Sequence, residues 1–152
     1  MSLALLLFAL PALCVPEALN AATVTPPIPH LRNDMDMLLI GNGCVTAAEE
    51  EAQMAVWSIM ASPLIMGNDV RTIKGDRARQ TLLNRDAIGV SQDKMGKAGT
   101  RLTQPKLAST GVELWARALS GGNVAVALLN KDAVRITFAF SLLSAWVGYG
   151  RV

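Results

Sequence analysis

The architecture of this chain turns on Asn33-Asp34-Met35-Asp36-Met37-Leu38-Leu39-Ile40-Gly41-Asn42. Two carboxylates stand two residues apart, just ahead of an apolar run. On an extended backbone alternate side chains share a face, so Asp34 and Asp36 would point one way and Met35 and Met37 the other. Two close acids suit acid–base chemistry, because like charges push their pKa values apart. A polar loop whose Asp side chains bond their own backbone is the plainer reading of the same spacing. The segments that follow bear on the choice.

Thr46 to Ser62 reads as a helix, and Pro63 to Asp69 as a short buried strand ending in polar residues. Thr46 and Glu49 fit a capping box. Glu49, Glu50 and Glu51 fill the first turn, where the helix dipole favours negative charge. They mark a helix start rather than an acidic site. Ala52, Val56, Ile59 and Met60 recur at helical spacing with Trp57 beside them, the pattern of core packing. Pro63 ends the helix. Leu64, Ile65 and Met66 form an apolar run of the kind found in parallel sheets. Asp69 and Arg71 pair across the loop that follows. Gly75 to Arg85 reads as a second, weaker helix with Ala78, Leu82 and Leu83 inward. The five Arg and Lys residues between Arg71 and Arg85 make a solvated face, not a nucleic-acid patch. Ala87 to Val90 reads as a short extended piece and Ser91 to Gly99 as a loop.

Near Thr100 the pattern changes from helical to alternating, and a domain boundary is placed there. Val112 to Ala116 reads as a strand, Ser120 to Asn123 as a turn, and Val124 to Leu129 as the partner strand. Asn130-Lys131-Asp132 is a further turn. Val134, Ile136, Phe138 and Phe140 then alternate with Arg135, Thr137 and Ala139. This is an antiparallel meander with one buried face.

Upstream, the apolar run Leu3 to Leu13 is too short to span a membrane as a helix. Its length suits the core of a secretory signal, with Ala12-Leu13-Cys14 as the cleavage site, so a secreted or endomembrane location is expected. An ordinary buried helix is the alternative. Pro16 to Pro29, with four of the seven prolines, reads as a linker ending at a solvated His30. The chain has 152 residues, 51% hydrophobic and 17% charged, a globular composition. That length fits one ordinary domain, whereas a whole (β/α)8 barrel needs about 250 residues. The net charge of +2 is interspersed, with no basic stripe for nucleic acid. Cys14, Cys44 and His30 lack metal-ligand spacing. No cofactor, no structural zinc and no membrane span is expected, and self-association stays open.

Five words stand in order along the chain. They are Asn33 to Leu38, Ile40 to Gly43, Gln53-Met54-Ala55-Val56-Trp57, Ala61 to Arg71, and Ser91 to Lys97. In these words and their spacing, residues 31 to 140 resemble the α-galactosidases, the melibiases of glycoside hydrolase family 27. The resemblance implies an α/β fold class. Residues 31–100 would be a C-terminal fragment of a (β/α)8 TIM barrel, and residues 101–152 part of an antiparallel β-sandwich domain, with signal and linker over 1–30. Asn33 to Ile40 would be a barrel strand with its mouth at the C-terminal end, where such barrels place their chemistry. Asp36 and Met37 would face an α-galactoside substrate, Asp36 accepting from a sugar hydroxyl and Met37 forming pocket wall, while Asp34 is structural. The family usually has Pro where Met35 stands here.

The resemblance also implies a retaining hydrolase, which needs two carboxylates about 5 Å apart. Both normally come from earlier barrel strands, the nucleophile in a Lys-x-Asp-x-Cys setting. No such segment is found in this sequence. Lys74-Gly75-Asp76 is its one Lys-x-Asp, lacks the Cys and lies on the wrong element. The expectation is a piece of an α-galactosidase-like enzyme that carries the rim of the sugar pocket and no catalytic residue of its own. The alternative is a non-catalytic shortened relative that binds sugar or a full-length partner.

Overall fold

The computed structural model describes residues 3–9, 34–73, 75–102 and 111–131. In chain order its elements are β1 (Leu3–Ala9), α1 (Ala47–Ile59), α2 (Asp76–Leu82), α3 (Arg85–Ser91), β2 (Thr100–Leu102), β3 (Val112–Ala118) and β4 (Val124–Asn130). The strands form one sheet in the order β1-β4-β3-β2. β2 and β4 run antiparallel to β3, and β1 runs parallel to β4, with Leu3 opposite Val124 and Ala9 opposite Asn130. The expected linker, His30, and the third meander strand from Val134 lie outside the described residues.

Helix α1 is the hub. Thr46 caps it: the Glu49 amide donates to Thr46 Oγ1 at 3.3 Å and the Thr46 amide to Glu49 Oε2 at 2.6 Å, the expected capping box. Its other end differs from expectation. Pro63 does not stop it. The Ala61 amide donates to Ser58 O at 3.3 Å and the Ser62 amide to Trp57 O at 3.0 Å. That is a Schellman pair, and it needs a left-handed residue, here Ala61 at φ 55°. Met54 to Ile59 are all buried, so packing rather than propensity stabilises the helix.

One face of the sheet rests on α1. Trp115, Ala125, Ala127 and Leu129 share a core with Ala52, Val56 and Ile59. Val112, Leu114, Val126 and Leu128 form a second cluster with Leu102 and Val124. The meander was expected to bury one face, but β3 and β4 bury both. Nor is the β4 edge bare, as a half-built sandwich would leave it, because β1 pairs along it. The run Leu3–Ala9 is thus a strand rather than a helix. An unbroken apolar run carries no period to distinguish the two.

The segment after Arg71 departs furthest from its sequence reading. Two short helices replace one, and Ala87 to Val90 is helical rather than extended. Asn84 is the reason. Its Oδ1 accepts from the amides of Asp86 and Ala87 at 3.0 and 3.1 Å, an N-cap that ends one helix and starts the next. Ala78 is inward as expected, but Leu83 is 73% exposed, because α2 ends before it.

A candidate sugar-facing loop

The decisive stretch is a loop held by its own side chains. Asp34 Oδ1 accepts from the Asp36 amide at 3.0 Å. Asp36 Oδ1 accepts from the Met37 amide at 2.7 Å. Asp36 sits at φ 68°, in the left-handed region. The extended backbone that would put both carboxylates on one face is therefore absent, and the polar-loop reading describes the geometry. Asp tolerates this region better than most residues, because its short polar side chain can bond locally. Such a conformation still costs about 1–3 kcal/mol and persists only where the surroundings over-determine it.

The surroundings do so from α1. Trp57 Nε1 donates to Asp36 O at 2.8 Å. Gln53 Nε2 donates to Met37 O at 3.4 Å, and Gln53 Oε1 accepts from the Leu39 amide at 2.8 Å. Glu50 Oε1 accepts from the Gly41 amide at 2.7 Å. Residues 50, 53 and 57 share one helix face. Ala52, Val56 and Ile59 lie on the opposite one, against the sheet. Helix α1 thus reads the loop's backbone on one side and carries the core on the other. Glu51 has a third task, an ion pair with Arg77 at 2.5 Å.

Among the described residues the expected barrel strands shrink to a single parallel bridge, Leu38 with Met66. The Leu38 amide donates to Ile65 O at 2.8 Å and the Gly67 amide to Leu38 O at 3.0 Å. Leu38 and Ile40 are fully buried, but Ile65 and Met66 are 46% and 40% exposed, against the expectation of a buried strand. Asn68 donates from Nδ2 to Ile40 O and ties the two segments beyond the bridge. Gly67 lies under Met37. A Cβ there would stand 2.8 Å from Met37 Cβ and 3.0 Å from Leu38 O, closer than side chains pack. Met35, where the family usually has Pro, is buried, and its amide donates to Ser62 Oγ at 3.2 Å. The extra N–H is satisfied inside the core.

Chemically, the loop offers one acceptor and one apolar wall. Asp36 is exposed, with Oδ1 held by its neighbour's amide. Among the described residues Oδ2 has no partner, and can accept from a ligand hydroxyl. Met37 beside it is 49% exposed. Asp34 is occupied by the loop itself. Asp69 is also a structural acid. Arg71 clasps it through Nε at 2.9 Å and Nη2 at 2.8 Å, and this hydrogen bonding holds its carboxyl below the usual carboxylate range. Asp76 starts α2 and faces Arg79 at 3.9 Å. Sequence reasoning gave Trp57 to the core and Gln53 no role. The signal was available in the i, i+4 spacing of two side-chain donors on a helix following a polar loop.

Comparison with known proteins completes the picture. The model of the family "Alpha galactosidase A" matches residues 18–93, and that of the "Alpha galactosidase C-terminal beta sandwich domain" matches residues 109–149. Human alpha-galactosidase A is 39% identical over 118 residues, 78% of this chain and 26% of that protein. The alpha-galactosidase of Coffea arabica is 40% identical over 67% of this chain and 26% of its own length. Among solved structures, alpha-galactosidase I from Mortierella vinacea superposes with a TM-score of 0.57 at 31% identity, over 65% of this chain and 24% of that one. The Saccharomyces cerevisiae enzyme does so with a TM-score of 0.56 at 31% identity, over 65% and 23%. The chain spans about a quarter of the length of the curated relatives it matches. Helix, parallel bridge and antiparallel strands agree with a stretch of TIM barrel followed by the start of a β-sandwich, and the chain belongs to the α-galactosidase (melibiase) family, glycoside hydrolase family 27.

Proposed function

We propose that Asp36 and Met37 form one wall of a pocket for terminal α-galactosyl residues, Asp36 accepting from a sugar hydroxyl and Met37 packing beside the ring. The observation that carries this reading is the left-handed, exposed Asp36 with one carboxylate oxygen open to a ligand. Backbone held in a sparsely populated region at a non-glycine residue clusters at ligand contacts. The whole protein would be a retaining α-galactosidase. Hydrolysis would need two carboxylates about 5 Å apart, and no Lys-x-Asp-x-Cys nucleophile setting is found in these residues. We therefore infer that this chain on its own binds sugar without cleaving it.

In this reading residues 31–100 belong to the catalytic barrel and residues 101–152 to the β-domain. Exposed Met66 forms the parallel bridge and exposed Ile65 adjoins it, where further barrel strands would pair. The same exposure favours the second reading, a non-catalytic relative that docks on a full-length partner. The run Leu3 to Leu13 supports a secreted or endomembrane destination. Cleavage after Cys14 would remove β1 and free the β4 edge.

The test is incubation of the purified chain with p-nitrophenyl α-galactoside, alone and mixed with a full-length family member. No release of nitrophenol by the chain alone is expected. Turnover by the chain alone would contradict the inference. A change in the partner's rate that depends on chain concentration would favour docking.

A further inference from the structure

We propose that Trp57 is a positioning residue for Asp36: its indole N–H, not only its bulk, holds Asp36 in the left-handed conformation that presents the carboxylate. The inference rests on the reading of Asp36 as a sugar contact for its consequence, but not for its geometry. Two peptide planes meet at the Asp36 Cα, and both are pinned. The plane before it is fixed by the Asp36 amide donating to Asp34 Oδ1 at 3.0 Å. The plane after it is fixed twice. Its carbonyl accepts from Trp57 Nε1 at 2.8 Å, and its Met37 amide donates to Asp36 Oδ1 at 2.7 Å. With both planes fixed, φ and ψ at Asp36 have no freedom left.

The contributions are unequal. The Asp34 and Asp36 carboxylates are on the loop itself and exposed, where water competes for them. Trp57 is 2% exposed and sits on the well-packed part of α1. Among the described residues, its bond to Asp36 O is the one hydrogen bond that ties the Asp36 backbone to a helix. Gln53, one turn away, holds the Met37 carbonyl and the Leu39 amide on the same helix face. The helix therefore sets the direction of the Asp36–Met37 pair, and a tryptophan of core-like burial carries a task that hydrophobicity alone does not reveal. A phenylalanine would fill most of the same space without the donor.

The experiment compares the full chain with Trp57→Phe and Asp36→Ala, with D-galactose as the probe. The Cα and Cβ chemical shifts of Asp36 report its backbone region, and an NMR titration reports the dissociation constant. Trp57→Phe is expected to move the Asp36 shifts from left-handed towards extended values. It should weaken galactose binding about threefold to tenfold, the loss of one hydrogen bond. Incorporating 5-fluorotryptophan, which keeps the N–H, should preserve both properties, whereas benzothienylalanine, which keeps the shape without it, should not. Unchanged Asp36 shifts in Trp57→Phe would overturn the proposal, even if Asp36→Ala abolishes binding and the sugar reading stands. Loss of the left-handed shifts with no galactose binding by any form would uphold the positioning and overturn the sugar reading. Should Trp57→Phe fail to fold, proton exchange in the unaltered chain decides. A Trp57 indole N–H that exchanges slowly supports the bond, and one that exchanges as fast as a free indole overturns it.

Discussion

Arg117, on β3, donates from its guanidinium to the carbonyl of Ser58 near the end of α1, and it does so while only 1% exposed. The same guanidinium reaches Ser91 O at 3.5 Å, at the end of α3. A cation at the C-terminal ends of two helices meets the negative end of both dipoles. Arg117→Ala removes these bonds and leaves a cavity, so it should destabilise the chain by about 2–5 kcal/mol. Arg117→Lys keeps the charge but not the planar fork, and should recover part of the loss. Urea unfolding of the three forms checks the order.

Asp93 ties the loop after α3 to the turn between β3 and β4. It accepts from the Ser120 amide at 3.0 Å and the Ser120 hydroxyl at 2.6 Å. The Ser120 hydroxyl above all holds its carboxyl below the usual range, against a smaller opposing effect of burial. A carboxyl depressed in the folded state contributes stability above its unfolded pKa, about 3.9, and loses it as pH falls through the lower folded value. Ser120→Ala should therefore melt below the unaltered chain at pH 7, and the gap should narrow as the pH falls below about 4. A gap that stays constant down to pH 2 would assign the effect to packing instead.

Gly99 sits where the backbone passes tightly between the end of α1 and β3, its amide donating to Ile59 O at 2.8 Å. A Cβ there would stand 2.6 Å from Ile59 Cγ2, 2.9 Å from Ile59 O and 3.0 Å from Ala116 O. Two of the three are backbone atoms and cannot swing away. Gly99→Ala should destabilise by about 1–3 kcal/mol or more. Gly89→Ala, whose Cβ would meet nothing within 4 Å on a helix, should be neutral or slightly stabilising. Thermal melts of the two variants make the comparison.

Gly67 has a different consequence. Its missing side chain is the space over which Met37 lies. Gly67→Ala should displace Met37, with a weaker galactose affinity than its stability loss accounts for. Melting and galactose titration of the same variant separate the two.

What could be read from the sequence was what local chemistry writes into adjacent residues. The Thr46–Glu49 box, the Asp69–Arg71 pair and the antiparallel strand pair within Val112 to Leu129 need few distant partners to be recognised, and each is present. The misreadings share a cause, which is dependence on tertiary context. Ala61 stands left-handed because the Schellman bonds and the packing of α1 hold it there, although the sequence offers no Gly at that point. Ala87 to Val90 looks extended by composition, and only the Asn84 cap turns it into a helix. Leu3–Ala9 becomes a strand because the β4 edge is available. At the loop, Asp36 and Met37 were legible as words of a family. Their shape was not, because it is set from α1 by Gln53 and Trp57, more than a dozen residues away.

In a completed enzyme carrying this segment, Asp36→Ala should lower kcat/KM by about 1.5–3 kcal/mol, the worth of a hydrogen bond to a charged group. Unchanged kinetics would remove Asp36 from the site.

The most direct measurement is a two-dimensional NMR titration of the 152-residue chain with D-galactose, following the amides of Asp36 and Met37. Saturable shifts at these two residues, absent with Asp36→Ala and absent when mannose replaces galactose, are the predicted result. A spectrum that galactose leaves unchanged at Asp36 and Met37, in a chain whose dispersed signals show it to be folded, would contradict the assignment of this loop to the sugar pocket.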